Sequence, residues 1–158
     1  MQNKTFHFCQ LNLPAAPLRI EMHNGRWEVY DSIRDKWLVL TDEEWVRQNF
    51  VDYMCRTLGY PSSVIGNEIG LTLNRTQRRA DTVVYGPDRR PMVIVEYKAP
   101  TVDITQAVFD QIVRYNMVLK ARLLVVSNGL KHYCCEIDYE NGSYKFLPEL
   151  PHYKSLVS

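Results

Sequence analysis

Apolar positions recur along this chain with a period of two in most stretches and close to four in two others, which predicts strands and two helices. Residues 18–22 and 26–30 flank His23-Asn24-Gly25 and predict a hairpin, with a short third strand over 36–40. Thr41-Asp42-Glu43-Glu44 reads as a capping box, with Leu40 and Trp45 as the hydrophobic staple around it. Val46, Phe50, Met54 and Leu58 then recur at helical spacing until Gly59 and Pro61 stop the helix. A strand over 64–73, interrupted by Gly66 and Gly70, leads into two β-rich runs, 79–85 and 92–98, around a Gly-Pro-Asp-Arg-Arg-Pro turn. A second helix is predicted over 104–120 with Asp103 as its cap, then strands over 123–127 and 132–137 turned by Asn128-Gly129. After the Glu140-Asn141-Gly142-Ser143 turn the end, with Pro148 and Pro151, reads as irregular. From residue 41 the order is helix, three strands, helix, two strands: an α/β core behind a small N-terminal β element. One domain is expected over 1–158, with the lead-in and β element at 1–40, the core at 41–138, and a turn and irregular tail at 139–158.

The hairpin of 79–98 carries the candidate chemistry. If residues 86–91 form its loop, Tyr85 faces Met92 and Asp81 faces Glu96. Glu96 and Lys98 share one face of their strand and Tyr97 points the other way. Met92 and Ile94 make one face apolar, and Val93, Val95 and Tyr97 the other, so the strand reads as buried. Charges at the end of a buried strand are costly, and two facing carboxylates repel. A divalent cation held by hard oxygens, with a lysine beside it, accounts for the trio. A plain Glu96–Lys98 ion pair is the structural alternative.

Gln111 and Tyr115 lie on one side of the second helix, where an amphipathic surface with a glutamine at its edge is the plainer reading. Glu44 serves either the capping box or the cation, and Glu68, in the strand before the hairpin, is either exposed or a further ligand. Arg78 and Arg79, with Arg75, Arg89 and Arg90, read singly as a solvated rim and together as phosphate contacts.

Composition narrows the classes. A formal net charge of +1 excludes a globally basic nucleic-acid coat and leaves room only for a local basic face. The four cysteines show no CxxC spacing, which argues against zinc and fits a reducing compartment. The histidines are scattered without a nucleophile partner, and no GxxxxGK[ST] loop announces an ATPase. Neither a signal peptide nor an apolar run near the roughly 18 residues of a membrane helix is visible. The expectation is a soluble cytoplasmic protein without a membrane partner.

Asp81, then Glu96-Tyr97-Lys98, then Gln111 and Tyr115 resemble the PD-(D/E)xK nuclease pattern with a QxxxY motif on the following helix. Several stretches are similar, more closely, to the N-terminal nuclease domain of type I restriction enzyme R subunits in a small stand-alone form. They are the run 40–48, Arg79-Ala80-Asp81, the run 95–100, the run 109–116, Ser127-Asn128-Gly129 and His132-Tyr133. Ala80 stands where the motif has its proline. The resemblance implies a restriction-endonuclease-like core, a mixed sheet flanked by helices with the site where the hairpin strands splay. It implies Mg²⁺ or Mn²⁺ held by Asp81 and Glu96, Lys98 beside the scissile phosphate, orienting roles for Gln111 and Tyr115, and DNA as substrate. Residues 1–158 hold no motor, so the expectation is a stand-alone relative, or one dependent on motor or specificity subunits supplied in trans, with a homo-oligomer left open. The alternative is a catalytically silent module that keeps the fold for DNA binding or assembly.

Overall fold

Two sheets carry the chain in the computed structural model, which describes residues 7–73 and 75–158. The smaller is an antiparallel meander of β1 (Ile20–His23), β2 (Arg26–Asp31) and β3 (Lys36–Val39). Its first turn needs positive φ at both central residues, and Asn24 (φ 51) and Gly25 (φ 77) provide it.

The larger sheet takes β4 (Ile65–Leu73), β5 (Thr76–Tyr85), β6 (Pro91–Tyr97), β7 (Leu123–Ser127), β8 (His132–Asp138) and β9 (Ser143–Leu147) in chain order. Neighbours are antiparallel except β6 and β7, whose parallel pairing requires a crossover. Helix α2 (Gln106–Asn116) supplies it and covers one face, while α1 (Asp42–Arg56) covers the other. Val46, Phe50 and Met54 of α1 pack on Val84, Val93, Val95, Leu123 and Val125. Phe109 and Val113 of α2 pack on Val83, Ile94, Leu124 and Val126. β6 and β7 are thus apolar on both faces because helices cover both. Among the described residues no helix is long and apolar enough to cross a membrane.

The expected hairpin register holds in the interior, Thr82↔Val95, Val83↔Ile94 and Val84↔Val93, and shifts at the tip. A bulge between Val84 and Tyr85 sets Tyr85 against Pro91 rather than Met92. Helix α2 is capped by Thr105, whose Oγ1 accepts from the Val108 amide at 3.2 Å, not by Asp103. It passes into a 3₁₀ turn at Met117–Leu119. The tail expected to be irregular is built: β9 pairs with β8, and Tyr144 and Phe146 pack on Phe109. Helix α3 (Tyr153–Val157) is tied down by the Tyr153 amide on the Leu58 carbonyl, and the Tyr60 hydroxyl donates to the Pro151 carbonyl. Its anchors Leu150, Tyr153 and Leu156 are scattered, so no period announces them.

One irregularity organises the region of interest. Asn67 and Ile69 should share a face, yet Asn67 donates to Asp31 on the α1 side and Ile69 packs into the α2-side core. Glu68, between them, has φ 55, and the ladder passes over it from Asn67↔Thr82 to Ile69↔Ala80. β5 changes faces at the same level: Thr82 accepts from the Tyr97 hydroxyl on the α1 side, whereas Ala80 belongs to the α2-side core. Asp81 sits at this seam, one residue beyond Thr82, where the pairing of β5 with β6 ends, so the expected Asp81–Glu96 pair is not part of the ladder.

Candidate active site

Where β5 leaves β6, a backbone amide loses its strand partner and a side chain replaces it. Asp81 Oδ2 accepts from the Tyr97 amide at 2.9 Å, which fixes that carboxylate beside the end of β6. The adjacent Lys98 amide donates to the Ser127 carbonyl at 2.9 Å, so β7 holds the same end from its other side. Glu96 precedes these two residues and meets the Asp81 carboxyl group. Its own burial first, and the Asp81 charge second, push the Glu96 carboxyl up to about 9. Lys98 and the Asn116 amide oppose the shift without cancelling it.

Two buried oxygens at this place lack partners. Glu96 Oε1 has no hydrogen-bond donor, nor does Asn116 Oδ1. Lys98 is half-buried and acts on Glu96 through space; among the described residues the plain Glu96–Lys98 ion pair is not formed. An acceptor buried without a donor costs about 1–3 kcal/mol, so the arrangement is poised for something positive.

Tyr115 turns to the arginines of β5 instead of the carboxylates. The Arg78 guanidinium lies 4.6 Å over its ring, Arg78 Nε donates to the Tyr115 carbonyl at 3.1 Å, and the Tyr115 hydroxyl accepts from the Arg79 amide at 3.3 Å. Arg78, Arg79 and Tyr115 line a groove of 490 Å³ with Gly70 and Gln77. Gln111 is exposed on α2 and hydrogen-bonds to neither carboxylate.

Glu44 and Glu68 lie on the α1 side and are fully engaged. Thr41 Oγ1 caps α1 through the Glu44 amide at 3.1 Å, but the Glu44 carboxylate does not close the expected capping box. It accepts from Arg34 Nη2 at 2.8 Å and Gln48 Nε2 at 3.1 Å, with Arg47 at 3.5 Å. Glu68 Oε1 accepts from Arg47 Nη2 at 2.5 Å and Oε2 from Arg79 Nε at 2.6 Å. Burial alone would raise the Glu68 carboxyl, but Arg79 and Arg47 hold it below its ordinary range. Asp31, fully buried, accepts from Arg34 and Asn67 and ties the small sheet to this network.

The structure therefore brings Asp81, Glu96 and Lys98 together, sets Tyr115 beside Arg78 and Arg79, and leaves Glu44 and Glu68 to arginines. Sequence reasoning missed Asn116, which directly follows Tyr115, and the Asp31–Arg34–Arg47–Asn67 network; polar residues at core-facing positions of α1 were the available signal. Among the described residues no three His, Cys, Asp or Glu side chains gather to hold a metal. The donors that converge are two hard carboxylates and one amide, a set suited to a hard divalent cation whose other positions go to water or a phosphate.

The family model described as type I restriction enzyme R protein N terminus (HSDR_N) matches residues 42–151. The fold is similar to that of a fragment from Vibrio vulnificus YJ016 described as an HsdR subunit of a type I restriction enzyme, with a TM-score of 0.50 and 21% identity. That similarity covers 74% of this chain and 24% of the other, so the chain spans about a quarter of that relative. No curated protein matches the chain.

Proposed function

The chain belongs to the family of type I restriction enzyme R protein N termini, and on that premise we propose that it is a metal-dependent deoxyribonuclease that hydrolyses phosphodiester bonds. The observation that carries the reading is the buried, unpartnered Glu96 Oε1 held against Asp81. Asp81 and Glu96 would hold Mg²⁺ or Mn²⁺. The cation, when bound, supplies a water of lowered pKa and positive charge for the transition state. Glu96 must give up its proton to accept it, which ties affinity to pH. Asp81 is kept in place by the Tyr97 amide, so one ligand is pre-oriented. Lys98 adds a positive charge beside the carboxylates, where the scissile phosphate develops negative charge. Arg78 and Arg79 contact the DNA backbone, and Tyr115 orients Arg78 by stacking and by its carbonyl. Gln111, on the exposed surface of α2, contacts the backbone alongside. Glu44 and Glu68 take no part as ligands here, because their oxygens are committed to arginine and glutamine. Motor or specificity subunits supplied in trans are the partners this reading implies.

Purified protein nicks supercoiled plasmid with Mg²⁺ or Mn²⁺, and Asp81→Ala or Lys98→Ala lowers the rate by at least about 100-fold. Nicking that survives both substitutions removes the assignment. A second reading, a silent module for DNA binding or assembly, is favoured by the convergence of only two carboxylates. It predicts no Mn²⁺ binding at millimolar concentration by calorimetry.

A further inference from the structure

Asn116 is the last residue of α2 and is 2% exposed, an unusual place for an amide unless it is satisfied. Half of it is satisfied: Nδ2 donates to the Ile112 carbonyl at 2.9 Å. That carbonyl can only accept, so the bond also fixes which end of the amide is which. Oδ1 is left buried without a donor, in the same place where Glu96 Oε1 is left without one. Once Glu96 gives up its proton, as binding a cation requires, the two oxygens, from β6 and α2, only accept and cannot satisfy each other. A water held by protein acceptors alone would also need donors for its own oxygen, and Lys98 acts on Glu96 through space without a hydrogen bond to it. A hard cation satisfies both oxygens at once.

We propose that Asn116 Oδ1 is a third protein oxygen donor of the divalent-cation site, joining Asp81 and Glu96. The inference rests on the proposed nuclease reading and adds to it a neutral ligand from α2. A neutral third donor accounts for a site that carries no third carboxylate. It also gives the α2 terminus a purpose beyond the packing of Phe109 and Val113, because the crossover helix ends at the metal rather than merely near it.

Mn²⁺ titration by isothermal calorimetry tests this on the full chain, without reference to cleavage. Asn116→Leu keeps the branched shape, removes the oxygen, and weakens Mn²⁺ binding about 10–100-fold. Asn116→Asp keeps the oxygen, adds charge, and tightens Mn²⁺ binding severalfold above pH 7. A melting temperature is taken for each variant without metal. If Asn116 serves only to close the end of α2 on Ile112, both variants melt lower and bind Mn²⁺ as the unsubstituted chain does, and the inference falls. If the unsubstituted chain binds no Mn²⁺, the nuclease reading fails first. Should Asn116→Leu be too unstable to titrate, the Asn116→Asp arm decides, since unchanged affinity there also overturns the proposal.

Discussion

Two groups of wholly or partly buried carboxylates lie on opposite sides of β6, built from the same residue types with opposite bookkeeping. On the α1 side every carboxylate oxygen of Asp31, Glu44 and Glu68 accepts from an arginine, an amide side chain or a backbone amide. On the α2 side Asp81 and Glu96 face each other, and Glu96 Oε1 accepts from nothing. Burial is common to both, so it does not distinguish architecture from a site. Partnership of the carboxylate oxygens does, although Arg47 Nε and Nη1 in the first group are themselves buried without a hydrogen-bond partner. A closed network holds the small sheet, α1 and β4 together, while an open pair holds free energy in reserve for a ligand. Breaking one member of a closed network leaves charges stranded; neutralising one member of an open pair relieves repulsion.

The largest expected effect follows from that asymmetry. Arg47 is 4% exposed, pairs with Glu44 and Glu68, and lies 5.7 Å from the Tyr97 ring centroid. Arg47→Ala leaves Glu68 Oε1 without its donor, takes a second cation away from Glu44, and lowers stability by about 3–5 kcal/mol in urea denaturation. Glu96→Gln, measured without metal, leaves stability unchanged or raises it, while nicking is lost. Comparable destabilisation from both substitutions would erase the distinction between the two groups.

Acidity separates the groups next. Glu96 binds its proton more tightly folded than unfolded, so its contribution is complete below the unfolded carboxyl range and is lost as pH rises toward about 9. Glu68 and Asp31 are shifted down, so their contribution is present above that range and is lost as pH falls through their lowered values. Metal-free stability therefore declines on both limbs, the alkaline one by at most about 1.4 kcal/mol per pH unit. Glu96→Gln flattens the alkaline limb alone and Asp31→Asn the acid limb alone, as read from melting temperatures between pH 3 and 9. Saturating Mn²⁺ removes the alkaline decline, because the cation takes the place of the proton. An alkaline limb unmoved by Glu96→Gln would show that the carboxyl pair does not share charge as the geometry implies.

The open pair was legible in the sequence and the closed network was not, for a physical reason. Asp81 and Glu96 are joined by one local register, and counting along a short hairpin reaches both, with the bulge confined to the tip. The network joins residues 31, 34, 44, 47, 67 and 68 across a sheet, a turn, a helix and a strand, and no local period links them. Glu68 is the sharpest case. Its charge made it a fair candidate ligand, but its left-handed backbone turns β4 over and delivers its carboxylate to Arg47 and Arg79. Glu44 failed differently: its spacing from Thr41 fits a capping box, yet Arg34, from a turn ten residues earlier, outcompetes the cap as its partner. Helices α1 and α2 and eight of the nine described strands could be anticipated from pattern, while β9, though paired with its neighbour β8, packs on the distant Phe109, and α3 is held by the distant Leu58.

The smallest effect tests whether the cap and the network are as separate as they look. Thr41 Oγ1 accepts from the Glu44 amide, a bond made by backbone and indifferent to the Glu44 side chain. Thr41→Ala should cost about 1 kcal/mol, as should Thr105→Ala on α2. Glu44→Gln costs more, since Arg34 and Arg47 lose a charged partner. With the box open, the two effects add. A double-mutant cycle of Thr41→Ala with Glu44→Gln should then return a coupling under about 0.5 kcal/mol. Coupling near 1 kcal/mol or above would mean that Glu44 reaches back to Thr41 in solution, that Arg34 holds it only part of the time, and that a carboxylate of the closed network is free often enough to act as a ligand.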